Sequence, residues 1–146
     1  MLVIKNKKAF FEYFILETFS AGLKLVGSEV KSIRNHKVSI AESFCHIVDG
    51  EVFIKNMNIA EYSFSGPYTN HEPTRERKLL LHRKEISKLE KSLSQKGTTL
   101  IPLSIIITKT GLIKMEIGLA KGKKLYDKRE TIKSRDNDRN LKRFLN

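Results

Sequence analysis

Strict alternation of apolar and polar positions is clearest in LIKMEIGLAKG, residues 112 to 122. There Ile113, Met115, Ile117 and Leu119 alternate with Lys114, Glu116 and Gly118, which is the period of a half-buried strand. The preceding TTLIPLSIIITK is apolar enough for a barrel interior, Pro102 marks an edge or bulge in it, and Thr110-Gly111 joins the two segments. SFCHIV and EVFIKN are separated by Asp49-Gly50, a pair that favours positive φ, so residues 43 to 56 read as an antiparallel hairpin. FFEYFILETF, residues 10 to 19, reads as a strand buried on much of both faces. MNIAEYSF is expected to extend the sheet until Gly66-Pro67 ends it.

Helical spacing appears in two places. After Gly22 and Gly27, read as a bend or bulge and a stop, Ser28 precedes EVKSIR, where Val30 and Ile33 share a helical face. In KLLLHRKEISKLEKSLSQKG, Leu79, Ile86, Leu89 and Leu93 fall at helix-compatible spacings and Gly97 fits the position after a helix end, predicting a helix over about 82 to 95. SGPYTNHEPTRER, residues 65 to 77, is the longest loop of the body. The pattern is mainly β: about six strands in a small antiparallel barrel or curled sheet over residues 1 to 120, two or three peripheral helices, and one core in a chain of 146 residues.

Charge changes the picture at the end of the chain. Residues 121 to 146 hold ten Lys or Arg against four Asp or Glu, half of the net +12, with few apolar residues to order them; this composition favours a tail that is disordered when free. Such a balance attracts polyanions, nucleic acid first and an anionic membrane surface second. Within the body, Lys5, Lys7 and Lys8, then Lys31, Arg34 and Lys37, then Arg75, Arg77 and Lys78, then Lys121, Lys123 and Lys124 form four basic clusters. Each alone is an ordinary solvated face; together they predict a phosphate-tracking surface. Phe10, Phe11 and Tyr13 are better explained by core packing than by stacking on bases.

Catalytic chemistry finds no footing. GLAKGKK has three residues between Gly118 and Gly122 where a Walker loop has four, and puts Lys124 where that loop needs a hydroxyl. Four histidines make no i, i+4 pair and one cysteine cannot complete a common zinc pattern, so neither metal nor cofactor is expected. His71, beside Glu72 in a proline-bounded loop, reads as a loop anchor or partner contact, and the carboxylates, each near a Lys or Arg, read as solvated surface. Cys45 reads as a small buried hydrophobe. With no long apolar run or cleavage site, a cytoplasmic protein is expected.

Four phrases then speak together: NKKAFFEY, AGLKLVGSEVKSIR, NHEPTRERKLLLHRKEI and GLAKGKKLYDKRETIKSRD. They closely resemble the bacterial SsrA-binding protein family, SmpB, the partner of transfer-messenger RNA in rescuing stalled ribosomes by trans-translation. The resemblance runs from Asn6 into the tail in the family's order. It implies an OB-like barrel, no catalysis, and a monomer whose partners are transfer-messenger RNA and the ribosome. By motif match Asn6, Glu29, Lys31, Leu80 and Lys114 would lie on or support the RNA face, beside Arg34, Arg75, Arg77 and Lys78 of the basic clusters. Asn6 would meet a base edge, lysines phosphates, and Leu80 an unstacked base. Glu29 would accept from 2′-hydroxyls, hold Lys31, or serve only as a first-turn carboxylate.

The resemblance also assigns the tail. Lys121, Lys123 and Lys124 would grip ribosomal RNA, Tyr126 would stack on a base, Asp127, Lys128 and Arg129 would begin a helix along the messenger path, and Ile132 and Lys133 belong with them to the ribosome-contacting tail. Three departures stand out: Ser20 where many relatives have Glu, leaving Glu17 as substitute; His36 at a turn glycine, with Asn35 expected to take the positive φ; and a tail that stops with RDNDRNLKRFLN, implying a short terminal helix. Rival readings are a ribosome-associated RNA-binding protein without transfer-messenger RNA, and a small RNA-acting enzyme using His71 or His82.

Overall fold

The structure, a computed structural model, describes residues 2–64, 66 and 70–123. In chain order the elements are β1 (Leu2–Lys5), α1 (Lys7–Glu12), β2 (Tyr13–Leu23), α2 (Gly27–Arg34), β3 (Val38–Ser39), β4 (Phe44–Val48), β5 (Glu51–Lys55), β6 (Asn58–Ile59), β7 (Arg77–Leu80), α3 (Arg83–Leu93), β8 (Thr98–Ile107) and β9 (Ile113–Gly122). Strands β8, β4, β5, β7, β2 and β9 pair in that order and β9 returns to β8, closing an antiparallel ring of the OB-like kind that the sequence predicts. The β4–β8 junction that completes the ring is made at a single pair, Cys45 with Leu100. β1 pairs with the part of β8 beyond its contact with β4.

Turn chemistry sets the two hairpins. Asp49 and Gly50 adopt φ of 52° and 74° between β4 and β5, and Gly111, at φ 90°, turns β8 into β9. Register shifts at Pro102/Ser104 in the β8–β9 ladder and at Ile15/Glu17 in the β2–β9 ladder bend these long strands enough to close the ring. Inside lie Phe19, Val52, Ile54, Leu79, Leu100, Ile105, Met115 and Ile117, all buried. A second, smaller cluster of Ala9, Ile101, Leu103 and Ala120 packs under α1. β8 is therefore apolar almost throughout because one side of it faces the barrel and the other meets α1. Gly118 belongs to this tight layer: a Cβ there would stand 2.9 Å from Leu103 Cδ1.

Several expectations need correction. Residues 10 to 12 are the end of α1, and the strand starts at Tyr13 and runs through Gly22 to Leu23. Asn6 explains the switch: its Oδ1 accepts from Ala9 N at 3.2 Å and caps the first turn of a helix in a segment whose aromatic density suits a strand equally well. Phe10 is exposed, so it is not core. α2 begins at Gly27, with Val26 rather than Ser28 at its cap. β6 does not extend the large sheet; it pairs only with β3. Leu79 lies in β7, not in a helix, and α3 covers Arg83–Leu93, with Leu89 fully buried at the barrel mouth. His36, not Asn35, takes the positive φ, at 61°. As expected, Cys45 is buried, and burial raises its thiol pKa far above the usual range.

Candidate nucleic-acid interface

The amphipathic helix α2 turns Ser28, Glu29, Ser32 and Ile33 inward and leaves Lys31 and Arg34 exposed. Glu29 is wholly buried. Its Oε1 accepts from Val26 N at 3.0 Å and from Arg75 Nη2 at 2.5 Å, and its Oε2 accepts from Arg77 Nε. Burial pushes its carboxyl pKa up, but the hydrogen bonds from Arg75, the Val26 amide and Arg77 outweigh that and hold it below the usual carboxylate range. Glu29 is thus the exception to the reading of the carboxylates as solvated surface. It is a first-turn carboxylate, as one alternative allowed, and the cations it holds are Arg75 and Arg77, not Lys31.

Arg77 is equally enclosed. Its Nη1 donates to Met57 O at 2.7 Å and its Nη2 to Pro73 O at 3.0 Å and Glu72 O at 3.3 Å. Burial draws its pKa down and Glu29 opposes the shift. With no exposed side-chain surface it cannot touch an RNA, contrary to the contact expected from its basic cluster. Arg75, by contrast, keeps 38 % of its side chain exposed. The same packing ties the loop down: Ser28 Oγ donates to His71 Nδ1 at 2.8 Å, because His71 Nε2 must donate to Ile59 O at 2.8 Å. His71 is the loop anchor expected, and with both ring nitrogens engaged it is poorly placed to act as a base. His82, the other histidine considered, is exposed at the cap of α3.

Asn6 is also interior. Its Nδ2 donates to Pro102 O at 2.9 Å and to Ile40 O at 3.3 Å while Oδ1 caps α1. The amide is committed to joining α1, β8 and the segment before β4, so it cannot meet a base edge and can only support the surface.

The exposed candidates divide into two groups. Beside α2, Lys31 Nζ lies 5.3 Å from the Tyr62 ring centroid and Arg34 Nη2 donates to Gly111 O at 3.3 Å. On the barrel wall, strand register puts Leu80, Gly22, Lys114, Ile106 and Val3 in one row across β7, β2, β9, β8 and β1. Directly opposed residues share a face, and Leu80 and Lys114 are exposed on it. Gly22 lies between them, and the Leu80 side chain packs against it. Lys78, on the same strand as Leu80, pairs with Glu51 at 3.0 Å. Glu17 pairs with Lys88 at 2.6 Å, and Ser20 sits beside Leu80.

Lys121 and Lys123 stand where β9 passes α1. Lys123 N donates to Glu12 O at 2.8 Å and its Nζ lies 5.1 Å from the Phe14 ring centroid. Lys124, Tyr126, Asp127, Lys128, Arg129, Ile132 and Lys133 lie outside the described residues. Among those described, no helix is long and apolar enough to cross a membrane.

The buried role of Arg77 was legible in part: in RKLLLH it shares the period-two face of Leu79. The partnership of Glu29 with Arg75 and Arg77, 46 and 48 residues apart in sequence, carried no local signal.

Comparison with known proteins gives a consistent result. The family model described as SmpB protein matches residues 3–146. An SsrA-binding protein of Christiangramia forsetii is 53% identical over 141 residues, covering 97% of this chain and 89% of its own length. One of Fusobacterium nucleatum is 52% identical over 143 residues, covering 98% and 95%. A solved chain from "tmRNA-SmpB: a journey to the center of the bacterial ribosome" is similar with a TM-score of 0.69 and 46% identity, covering 84% of this chain and 85% of that one.

Proposed function

The chain belongs to the SmpB family, and on that premise we propose that it is an RNA-binding adaptor of trans-translation, which binds the transfer-RNA-like domain of transfer-messenger RNA and helps deliver it to stalled ribosomes. The observation that carries this reading is the family match over residues 3–146. The row of Leu80, Gly22 and Lys114 supplies a chemically suitable surface: an exposed apolar group that lies against a glycine, and a cation on the next strand. An unstacked base can pack on Leu80 while Lys114 meets a phosphate.

Within this reading the candidate residues take two roles. Lys31, Arg34, Arg75, Lys78, Leu80 and Lys114 contact the RNA. Asn6, Glu29 and Arg77 hold the elements that present them, Glu29 by fixing Arg75 at 2.5 Å. Residues 1–120 act as the RNA-binding body. Residues 121 to 146 act on the ribosome: Lys121, Lys123 and Lys124 grip its RNA, Tyr126 stacks, and Asp127 to Lys133 follow the empty messenger channel. No bond-making chemistry is required of any residue.

Pull-down from a cell extract followed by RNA sequencing tests the function. Transfer-messenger RNA should dominate the captured RNA, with recovery falling steeply with salt, since each phosphate contact contributes about −0.7 to −0.9 to the log–log slope. Recovery of ribosomal RNA alone from an extract that contains transfer-messenger RNA would refute the reading.

A further inference from the structure

α3 closes one mouth of the barrel, and its two faces differ sharply in chemistry. Ile86, Leu89 and Leu93 pack inward on the core. Arg83, Lys84, Ser87, Lys88 and Lys91 fall at i, i+1, i+4, i+5 and i+8, which gathers them on the opposite, solvent-facing side. The carboxylates of the helix lie at the margins: Glu85 turns back to accept from His82 N at 3.1 Å, and Glu90 borders a cleft with Leu93, Cys45 and Thr98. Glu17 reaches in from β2 to Lys88 at 2.6 Å. Among the described residues no carboxylate pairs with Arg83, Lys84 or Lys91.

A surface helix stabilised for its own sake would alternate signs at i, i+4; here Lys84 and Lys91 each lie one turn from Lys88, and of the four cations on this face only Lys88 is paired with a carboxylate among the described residues. Such a face is relieved by an external polyanion, and phosphates are the natural counterpart. It is also joined to the surface described above. A depression lined by Ser20, Leu80, Leu81, His82 and Glu85 connects the first turn of α3 to the Leu80 end of the cross-strand row.

We infer that the outer face of α3 is a further docking surface for the sugar–phosphate backbone of the same transfer-messenger RNA, extending the footprint from Leu80 over the barrel mouth. Arg83, Lys84 and Lys91 supply direct phosphate contacts, and Ser87 can donate a hydrogen bond between them. Lys88 is paired with Glu17 and adds less to the free charge. This inference rests on the functional reading above.

The test compares the full-length protein with the triple variant Arg83→Ala, Lys84→Ala, Lys91→Ala, binding a transcript of the transfer-RNA-like domain across a salt series. These side chains are on the solvent face, so the thermal midpoint should not move. Affinity should fall roughly tenfold at moderate salt and the log–log salt slope should become shallower by about 2. The pair Lys84→Arg, Lys91→Arg should keep wild-type affinity. Unchanged affinity and slope in the triple variant would overturn the inference. So would a loss confined to ribosome binding, which would assign the face to ribosomal RNA. Leu80→Asp in the same titration separates the two levels: if it weakens binding and the triple variant does not, only the α3 surface fails. If the wild-type protein does not prefer this transcript to an unrelated duplex, the functional reading fails with it.

Discussion

Glu29 shows how a single buried charge organises a surface it never reaches. With its two oxygens filled by Arg75, Arg77 and the Val26 amide, it locks α2 to β7. Replacing it by Gln keeps the shape but leaves Arg77 charged and enclosed, and breaking such a pair costs about 3–5 kcal/mol. Glu29→Gln should therefore lower the chemical-denaturation midpoint markedly at neutral pH. The pH dependence follows from the lowered carboxyl pKa. The contribution of the ionised Glu29 is complete above the ordinary carboxylate value of 4.5 and is lost as pH falls through the lower, folded-state value. The gap in stability between wild type and Glu29→Gln should be constant above about pH 5 and narrow below it; a gap that stayed constant down to the acid transition would show that charge is not the basis. In the sequence, Glu29 stood between three readings, because nothing local distinguishes a capping carboxylate from a charge partner supplied 46 residues later.

At the level of elements, two glycines on neighbouring strands have different duties. Gly118 is a packing glycine: a Cβ would meet Leu103 at 2.9 Å and Ile15 at 3.3 Å inside the layer under α1. Gly118→Ala should destabilise by about 1–3 kcal/mol in denaturant unfolding, the usual cost of overfilling a close-packed site. Gly22 lies on the outer wall, where a Cβ would press on Leu80 Cβ at 3.3 Å. Leu80 is exposed and free to move aside, so Gly22→Ala should leave stability within about 1 kcal/mol while displacing Leu80 and weakening transfer-messenger RNA binding severalfold in a titration. Equal effects of the two substitutions on stability would contradict this division. The hairpins, the alternating strand β9 and helix α3 were legible because each carries its own turn or periodic signal. The start of β2 and the pairing of β3 with β6 were not, since an aromatic run suits helix or strand and two-residue strands have no period to read.

For the whole molecule, a net charge of +12 is divided between a folded body and the segment from residue 121 onward. If the body holds transfer-messenger RNA and that segment serves the ribosome, cutting the chain after Gly122 should leave affinity for the free RNA nearly intact and abolish tagging on stalled ribosomes. Equal losses in both assays would show one continuous binding surface instead. By itself the sequence determined the mainly β barrel, the principal turns, the polyanion preference and the family, because these rest on periodicity, composition and long motifs that neighbouring residues carry together. Only the tertiary structure decided which polar residues are surface and which are scaffold. Asn6 and Arg77 look from the sequence like RNA contacts and are interior. Leu80, Gly22 and Lys114, distant along the chain, become neighbours through strand register. The reason is physical: a hydrogen bond or an ion pair is specified by where ring closure brings two atoms, and closure depends on every strand at once.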